Sequence, residues 1–239
     1  MDQLPNINHQ EIILPKSTKH WYRRWWGILL LIFAAYFLLT FILLLFNKSS
    51  SPSSATLKSG AVKVDEQKLY LNAGINPTAG SQGAKVTIVE FADFQCSYCR
   101  QEFSIVRELL QTYGDRIYFI FRDFPISELH PEAFKAAVAG RCAQEQNKFW
   151  ALHDQMFINQ ANLKIADLEN YAAGAGLNAA QFNQCLNSNK YDQQINQDYA
   201  DGFDLGVKGT PTFFIQGYRV AGVIPKDKFV KIIDAALAE

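Results

Sequence analysis

The longest apolar run of the chain, residues 25–46, carries no charge, and Tyr36 and Thr40 are its only polar side chains. About 20 apolar residues suffice for a helix to cross the hydrocarbon of a bilayer. Trp21, Tyr22, Trp25 and Trp26 crowd the start of the run, where amphipathic rings settle at the headgroup level. A cleaved signal peptide has a shorter apolar core and a small-residue site after it. Here the run is longer, and Asn47-Lys48-Ser49-Ser50-Ser51 is only a poor serine version of that site. The pattern therefore predicts an uncleaved membrane-spanning helix. The stretch SSSPSSATLKSG over 49–60 reads as a solvated tether, within a linker expected to run from 47 to 74.

The periodicity then changes. VTIVEF over 86–91 is β-branched, short and preceded by Gly80 and Gly83, which marks a buried strand. Phe103, Val106, Leu109 and Leu110 recur at helical spacing across 97–113, and Gly114 closes that helix. IYFIF over 117–121 is a second strand, and strand–helix–strand with a helix of this length predicts a parallel pair. From Pro131 to about Gly206 the pattern is helical, with segments near 131–146, 147–158, 165–174, 179–187 and 190–204. TFFIQ over 212–216 and YRVA over 218–221 flank Gly217 as a hairpin. A closing amphipathic helix starts at Pro225 and runs to about Ala238. The predicted order is βαβ, a helical insert near 131–206, then ββα.

Charge supplies the orientation. Lys16, Lys19, Arg23 and Arg24 precede the apolar run and only Lys48 closely follows it. The positive-inside tendency then puts residues 1–24 in the cytoplasm and the C-terminal part, 75–239, outside it in the periplasm or at the cell exterior. The chain has 23 basic and 23 acidic residues, a balance that argues against a nucleic-acid-binding surface. A hydrophobic fraction of 49% with 18 Phe is enough for a real core.

Two of the four cysteines, Cys96 and Cys99, stand at CxxC spacing where a strand gives way to a helix. A thiolate, not a thiol, attacks a disulfide, and a helix N-terminus favours the anion through free N–H groups and the positive end of its dipole. Cys99, one turn deeper, is close enough to close a disulfide with Cys96, so the pair can form and resolve a mixed disulfide. Half of a zinc site is the rival, but no second CxxC or His pair stands at the usual spacing. No metal is expected. Cys142 and Cys185 fall on two helices of the insert; in an oxidising compartment a structural disulfide is favoured over buried free thiols. His130 and His153 read as capping or packed histidines, and Arg122 and Asp123 as a solvated strand end. Tyr98 is placed to cover the disulfide and meet the substrate rather than to react.

Together these segments resemble a known family. VTIVEFADFQCSYC over 86–99, FRDFP over 121–125, RCA over 141–143, KFWALHD over 148–154 and GVKGTPTFF over 206–214 are similar, in the same order, to motifs of DsbA-like thioredoxin-fold proteins. The similarity covers roughly residues 75–239, and the anchored arrangement looks like that of the membrane-bound thiol–disulfide oxidoreductases of bacteria. The resemblance implies a thioredoxin fold (βαβ–ββα, class α/β) with an α-helical insertion domain, preceded by one transmembrane helix. It implies that Thr210-Pro211 is the cis-proline loop facing the CxxC and offering backbone to the substrate chain; spacing alone would favour a trans turn. It implies that Glu90 is the buried acid that handles the proton of Cys99, where the strand pattern alone allows a solvent-facing residue equally well.

The activity implied is disulfide donation to cysteine-containing secreted or envelope proteins. A substrate thiolate attacks Cys96, Cys99 resolves the mixed disulfide, and Glu90 manages the proton. The implied reoxidant is a membrane quinone-linked oxidase of the DsbB or vitamin K epoxide reductase type. The cysteines do the chemistry, so no cofactor is needed. A reductase or isomerase would use the same residues, and a non-catalytic peptide-binding domain would use only the groove. One departure stands out: Ser97 and Tyr98 occupy the places where strongly oxidising members often carry proline and histidine. Without an imidazolium beside Cys96, a less oxidising potential is expected.

Overall fold

The computed structural model describes residues 33–40, 63–64, 69–70 and 75–239. Two units are present, Met1–Ser53 and Ser54–Glu239. In the first, residues 33–40 are helical and expose Phe33, Phe37, Leu38 and Leu39. The rest of the expected spanning helix over 25–46 lies outside the described residues, among which no helix is long and apolar enough to cross a membrane.

The second unit is built on one five-stranded sheet, ordered β1-β3-β2-β4-β5. β1 is Thr78–Gly80, β2 Val86–Ala92, β3 Ile117–Asp123, β4 Thr212–Ile215 and β5 Tyr218–Ala221. β2 and β3 pair in parallel across the helix α1, Ser97–Tyr113. β4 then runs antiparallel to β2 with Glu90 opposite Phe213. β3 is buried at every position, and its residues Ile117–Phe121 accordingly form a continuous run rather than an alternating one. Between β3 and β4 lies the insert: α2 (Ala133–Gln144), α3 (Phe149–Ile158), α4 (Ile165–Gly174), α5 (Ala179–Leu186) and α6 (Asp192–Asp204). The closing helix α7 is Lys226–Ala238.

Alternation along β2 sorts its side chains onto two faces. Val86, Ile88 and Ala92 join the larger core with Cys99, Val106 and Leu109 of α1. Val89 and Phe91 belong to a smaller core with Tyr118, Ile120 and Phe124. Leu69 is buried in that smaller core, and the Val64 amide donates to the Gly217 carbonyl at 3.0 Å. The folded unit therefore reaches back before residue 75. Cys142 and Cys185 are joined in a disulfide at a sequence separation of 43, tying α2 to α5. Closing a loop of that length stabilises the fold by on the order of 4 kcal/mol in the chain-entropy account.

Arg122 and Asp123 are not a solvated strand end. Both are buried, with Arg141, Asp198 and Asp201. Arg122 donates through Nε to Asp198 Oδ1 at 2.9 Å and through Nη2 to Asp198 and Asp201. Arg141 donates to Asp123 at 2.6 Å, to Asp198 at 2.7 Å and to Asn76 at 2.7 Å. Charges are tolerated inside a protein only when paired and hydrogen-bonded. Here the partners arrive from α2 and α6, out of reach of any local pattern. Burial still dominates at Asp123, holding its pKa up to about 6 against the pull of Arg141.

Candidate active site

Cys96 caps the N-terminus of α1 with extended backbone (φ −73, ψ 122), and the Arg100 amide donates to its carbonyl in the first helical bond. Neither Cys96 nor Cys99 is engaged in a disulfide. The acidity of Cys96 is raised sharply: its pKa falls from 9.0 to about 5. The Cys99 thiol is the largest cause, and burial opposes it. A contribution from Thr210 and the amides of Cys99 and Tyr98 completes the stabilisation. The Cys99 and Tyr98 amides are the helix-tip effect in atomic form, donors with no intrahelical acceptor aimed at one sulfur. Cys99 is fully buried, and burial pushes its pKa well above 9.0. One sulfur is primed to be an anion and the other to hold its proton.

The Thr210-Pro211 peptide is cis, and its loop faces Cys96: the thiol donates to the Thr210 carbonyl at 3.3 Å. The Thr210 hydroxyl is buried without a partner in this arrangement, so it is free to donate to the sulfur once that sulfur is an anion. Thr210→Val, which keeps shape and removes the donor, is expected to raise the Cys96 pKa by roughly one unit, the worth of a hydrogen bond to a charged group. Alkylation rate against pH checks this; an unmoved midpoint would assign the hydroxyl no part. Beside the loop, Gly206, Lys208, Pro211 and Arg219 line a shallow depression. Tyr98 projects to the surface, 62% exposed.

Glu90 lies beneath the cysteines, 4% exposed, on the same face of β2 as Ile88 and Ala92. Burial, then the charge of Glu102, raises its pKa to about 8. It is close enough to Cys99 for its charge to raise that thiol too.

Several residues that hold this site were not singled out in the sequence. The buried Asp93 carboxylate accepts from the amides of Gln95 (2.7 Å) and Ile126 (2.8 Å), with His130 Nδ1 at 2.8 Å. Gln160 donates to the carbonyls of Phe94 and Cys96, both at 2.8 Å. Glu102 has no exposed surface. Its position three residues after Cys99, inside the stripe Cys99, Val106, Leu109 and Tyr113, was the available signal. His153 is packed among Phe94, Phe103, Phe121, Phe149, Trp150 and Phe157, and burial lowers its pKa.

Residues 72–235 match the Thioredoxin family. A thioredoxin-like oxidoreductase of Silicibacter pomeroyi is similar in structure, with a TM-score of 0.66 and 26% identity over 74% of this chain and 99% of that one. The thiol-disulfide exchange protein alpha-DsbA2 of Wolbachia pipientis shares the fold, with a TM-score of 0.64 and 23% identity over 78% of this chain and 98% of that one. Na(+)/H(+) antiporter NhaA 3 of Salinispora tropica is 42% identical over 144 residues, 60% of this chain. The matched stretch is only 22% of that antiporter's length. With a CxxC at a helix tip, a cis-proline loop against it and a helical insert in the sheet, the chain belongs to the thioredoxin family, with a DsbA-like architecture.

Proposed function

We propose that the protein donates disulfides to cysteine-containing secreted or envelope proteins. The observation that carries this reading is the acidity of Cys96. A thiolate stabilised in the folded dithiol makes the disulfide form easier to reduce, and so a stronger oxidant. The sign is that of a depressed acid. The contribution is absent below about pH 5, grows as pH rises through that value, and is complete above the ordinary thiol range near 9.0. Four donors around Cys96 replace the imidazolium that Ser97 and Tyr98 cannot supply, so the expected loss of oxidising power is offset.

In this direction a substrate thiolate attacks Cys96 Sγ and the Cys96–Cys99 bond breaks. Cys99 leaves as a thiolate and takes a proton from Glu90, which is protonated at neutral pH. A second substrate thiolate then attacks the substrate sulfur of the mixed disulfide, forming the substrate's own disulfide and releasing Cys96 as a thiolate. The resolving attack by Cys99 belongs to the reverse reaction. The cis-proline loop and the depression beside it would hold the substrate backbone, with Tyr98 over the sulfurs. Residues 25–46 would tether the domain on the outer side of the membrane, near a quinone-linked reoxidant of the DsbB or vitamin K epoxide reductase type. The charge asymmetry around that run supports the orientation.

Equilibration of the Cys96/Cys99 pair with glutathione tests the direction. A potential above about −200 mV is expected, against about −270 mV for thioredoxin. A value near thioredoxin's would move the protein to the reductases.

A further inference from the structure

The buried stripe of α1 is apolar except at Glu102, whose side chain has no accessible surface. A helix–sheet interface does not place a carboxyl there without cost, since each desolvated charge needs partners. Glu102 has one: Oε2 accepts from the Ile224 amide at 2.9 Å, while Oε1 is buried with no hydrogen-bond partner. Opposite it, Glu90 projects from β2 into the same core, between Phe121 of β3 and Phe213 of β4. Two carboxyls thus enter one apolar layer beneath Cys99, one from the helix and one from the sheet.

The cations on the surrounding elements are turned elsewhere. Arg122 of β3 pairs with Asp198 and Asp201, and Arg219 of β5 donates to the carbonyls of Leu205 and Gly206. Arg107 of α1 pairs with Asp154, which also meets His153 of α3. Lys226 of α7 pairs with Glu108, and Asp234 of α7 accepts from Tyr113. At this end of α1 stand Cys96 and Cys99, the exposed Tyr98 and Arg100, and the buried Asp93 with His130 against it. Like charges so placed disfavour each other's ionisation, and the charge of Glu102 raises Glu90.

We propose that Glu102 is a positioning residue for the proton step: its charge, set in the same apolar layer as Glu90, decides when Glu90 can exchange a proton with Cys99. This rests on the reading of Glu90 as the acid that serves Cys99. In donation, Cys99 leaves Cys96 as a thiolate and is protonated by Glu90; the charge on Glu102 keeps that proton on Glu90 until it is needed. In reverse, Cys99 passes its proton to the Glu90 carboxylate and attacks Cys96 Sγ, and the substrate sulfur departs as a thiolate. Burial raises both carboxyls, Glu90 to about 8 and Glu102 to about 7, and Glu102 adds to the rise at Glu90.

The test uses the full-length chain carrying glutathione on Cys96, held in mildly acidic buffer and jumped to a series of higher pH values. Release of glutathione by Cys99 is followed by quenching and mass spectrometry. Glu102→Gln keeps an acceptor for the Ile224 amide and removes the charge. It is expected to move the acid limb of the rate to lower pH by roughly half to one unit, while Glu102→Asp leaves the limb near the wild-type position. In a Glu90→Gln background, Glu102→Gln should shift nothing. A limb that Glu90→Gln abolishes and Glu102→Gln leaves in place overturns the Glu102 proposal alone. A limb that survives Glu90→Gln overturns the Glu90 reading and this proposal with it. Should Glu102→Gln not fold, carboxyl 13C signals of the unsubstituted chain decide: a Glu90 curve that also shows the titration step of Glu102 supports the coupling, and two independent single-step curves overturn it.

Discussion

With the chain reduced, the alkylation rate of Cys96 should reach half its limit near pH 5, where an ordinary thiol would do so near 9.0, while Cys99 stays unmodified. Between those two values an ordinary cysteine is almost wholly thiol, whereas Cys96 is almost wholly thiolate. At pH 7 only about one in a hundred ordinary thiols is ionised, so the reactive fraction differs by about two orders of magnitude. Cys96→Ala should reduce exchange to the uncatalysed background, because no other described cysteine is both acidic and reachable. Cys99→Ala should instead trap mixed disulfides through Cys96, visible as adducts on non-reducing gels. A midpoint in the ordinary thiol range, with Cys99 alkylated as fast as Cys96, would remove the basis for the proposed chemistry.

Arg141→Ala is expected to have the largest effect on stability. Its guanidinium bonds Asp123, Asp198 and Asn76 within a region of no solvent access. Removing one partner of a buried pair costs about 3–5 kcal/mol, because the remaining charge is left uncompensated. For a domain of this size that lowers Tm by roughly 10 °C. The partly exposed pair Arg107–Asp154 is the control, worth at most about 1 kcal/mol. The loss should depend on pH. Asp123 already sits near 6, above its unfolded 3.8, and without Arg141 it rises further. A carboxyl raised by folding favours the folded state at low pH and loses that contribution as pH rises through its folded value. The variant should therefore be closest to wild type near pH 4 and furthest from it above pH 7. Thermal unfolding across that range measures both effects; a pH-independent loss would mean that packing, not charge, is at stake.

What the sequence disclosed and what it hid divide along the range of the interactions. The helix over 97–113 and its stop at Gly114, the buried strands and the five insert helices are local consequences of periodicity and turn chemistry, and they stand within two residues of the observed limits. β1 was missed because Thr-Ala-Gly has no pattern of its own; it is a strand only because β3 offers an antiparallel edge. Arg122 and Asp198, 76 residues apart, look like surface charges until α6 brings them together. Glu102 was hidden for a different reason: a helix pattern read by its apolar members passes over the one acid in their midst. The cysteines were legible because their spacing is itself the chemistry.

The sulfur of Cys96 and the carbonyl that faces it are separated by 114 residues of chain. A polypeptide made from its N-terminus therefore exposes both cysteines well before the segment that completes their surroundings exists. Until that segment folds back against β2, Cys96 lacks the contribution of Thr210. The full acidity of Cys96 is therefore a property of the finished fold, reached only once residues 209–215 have closed on the helix tip.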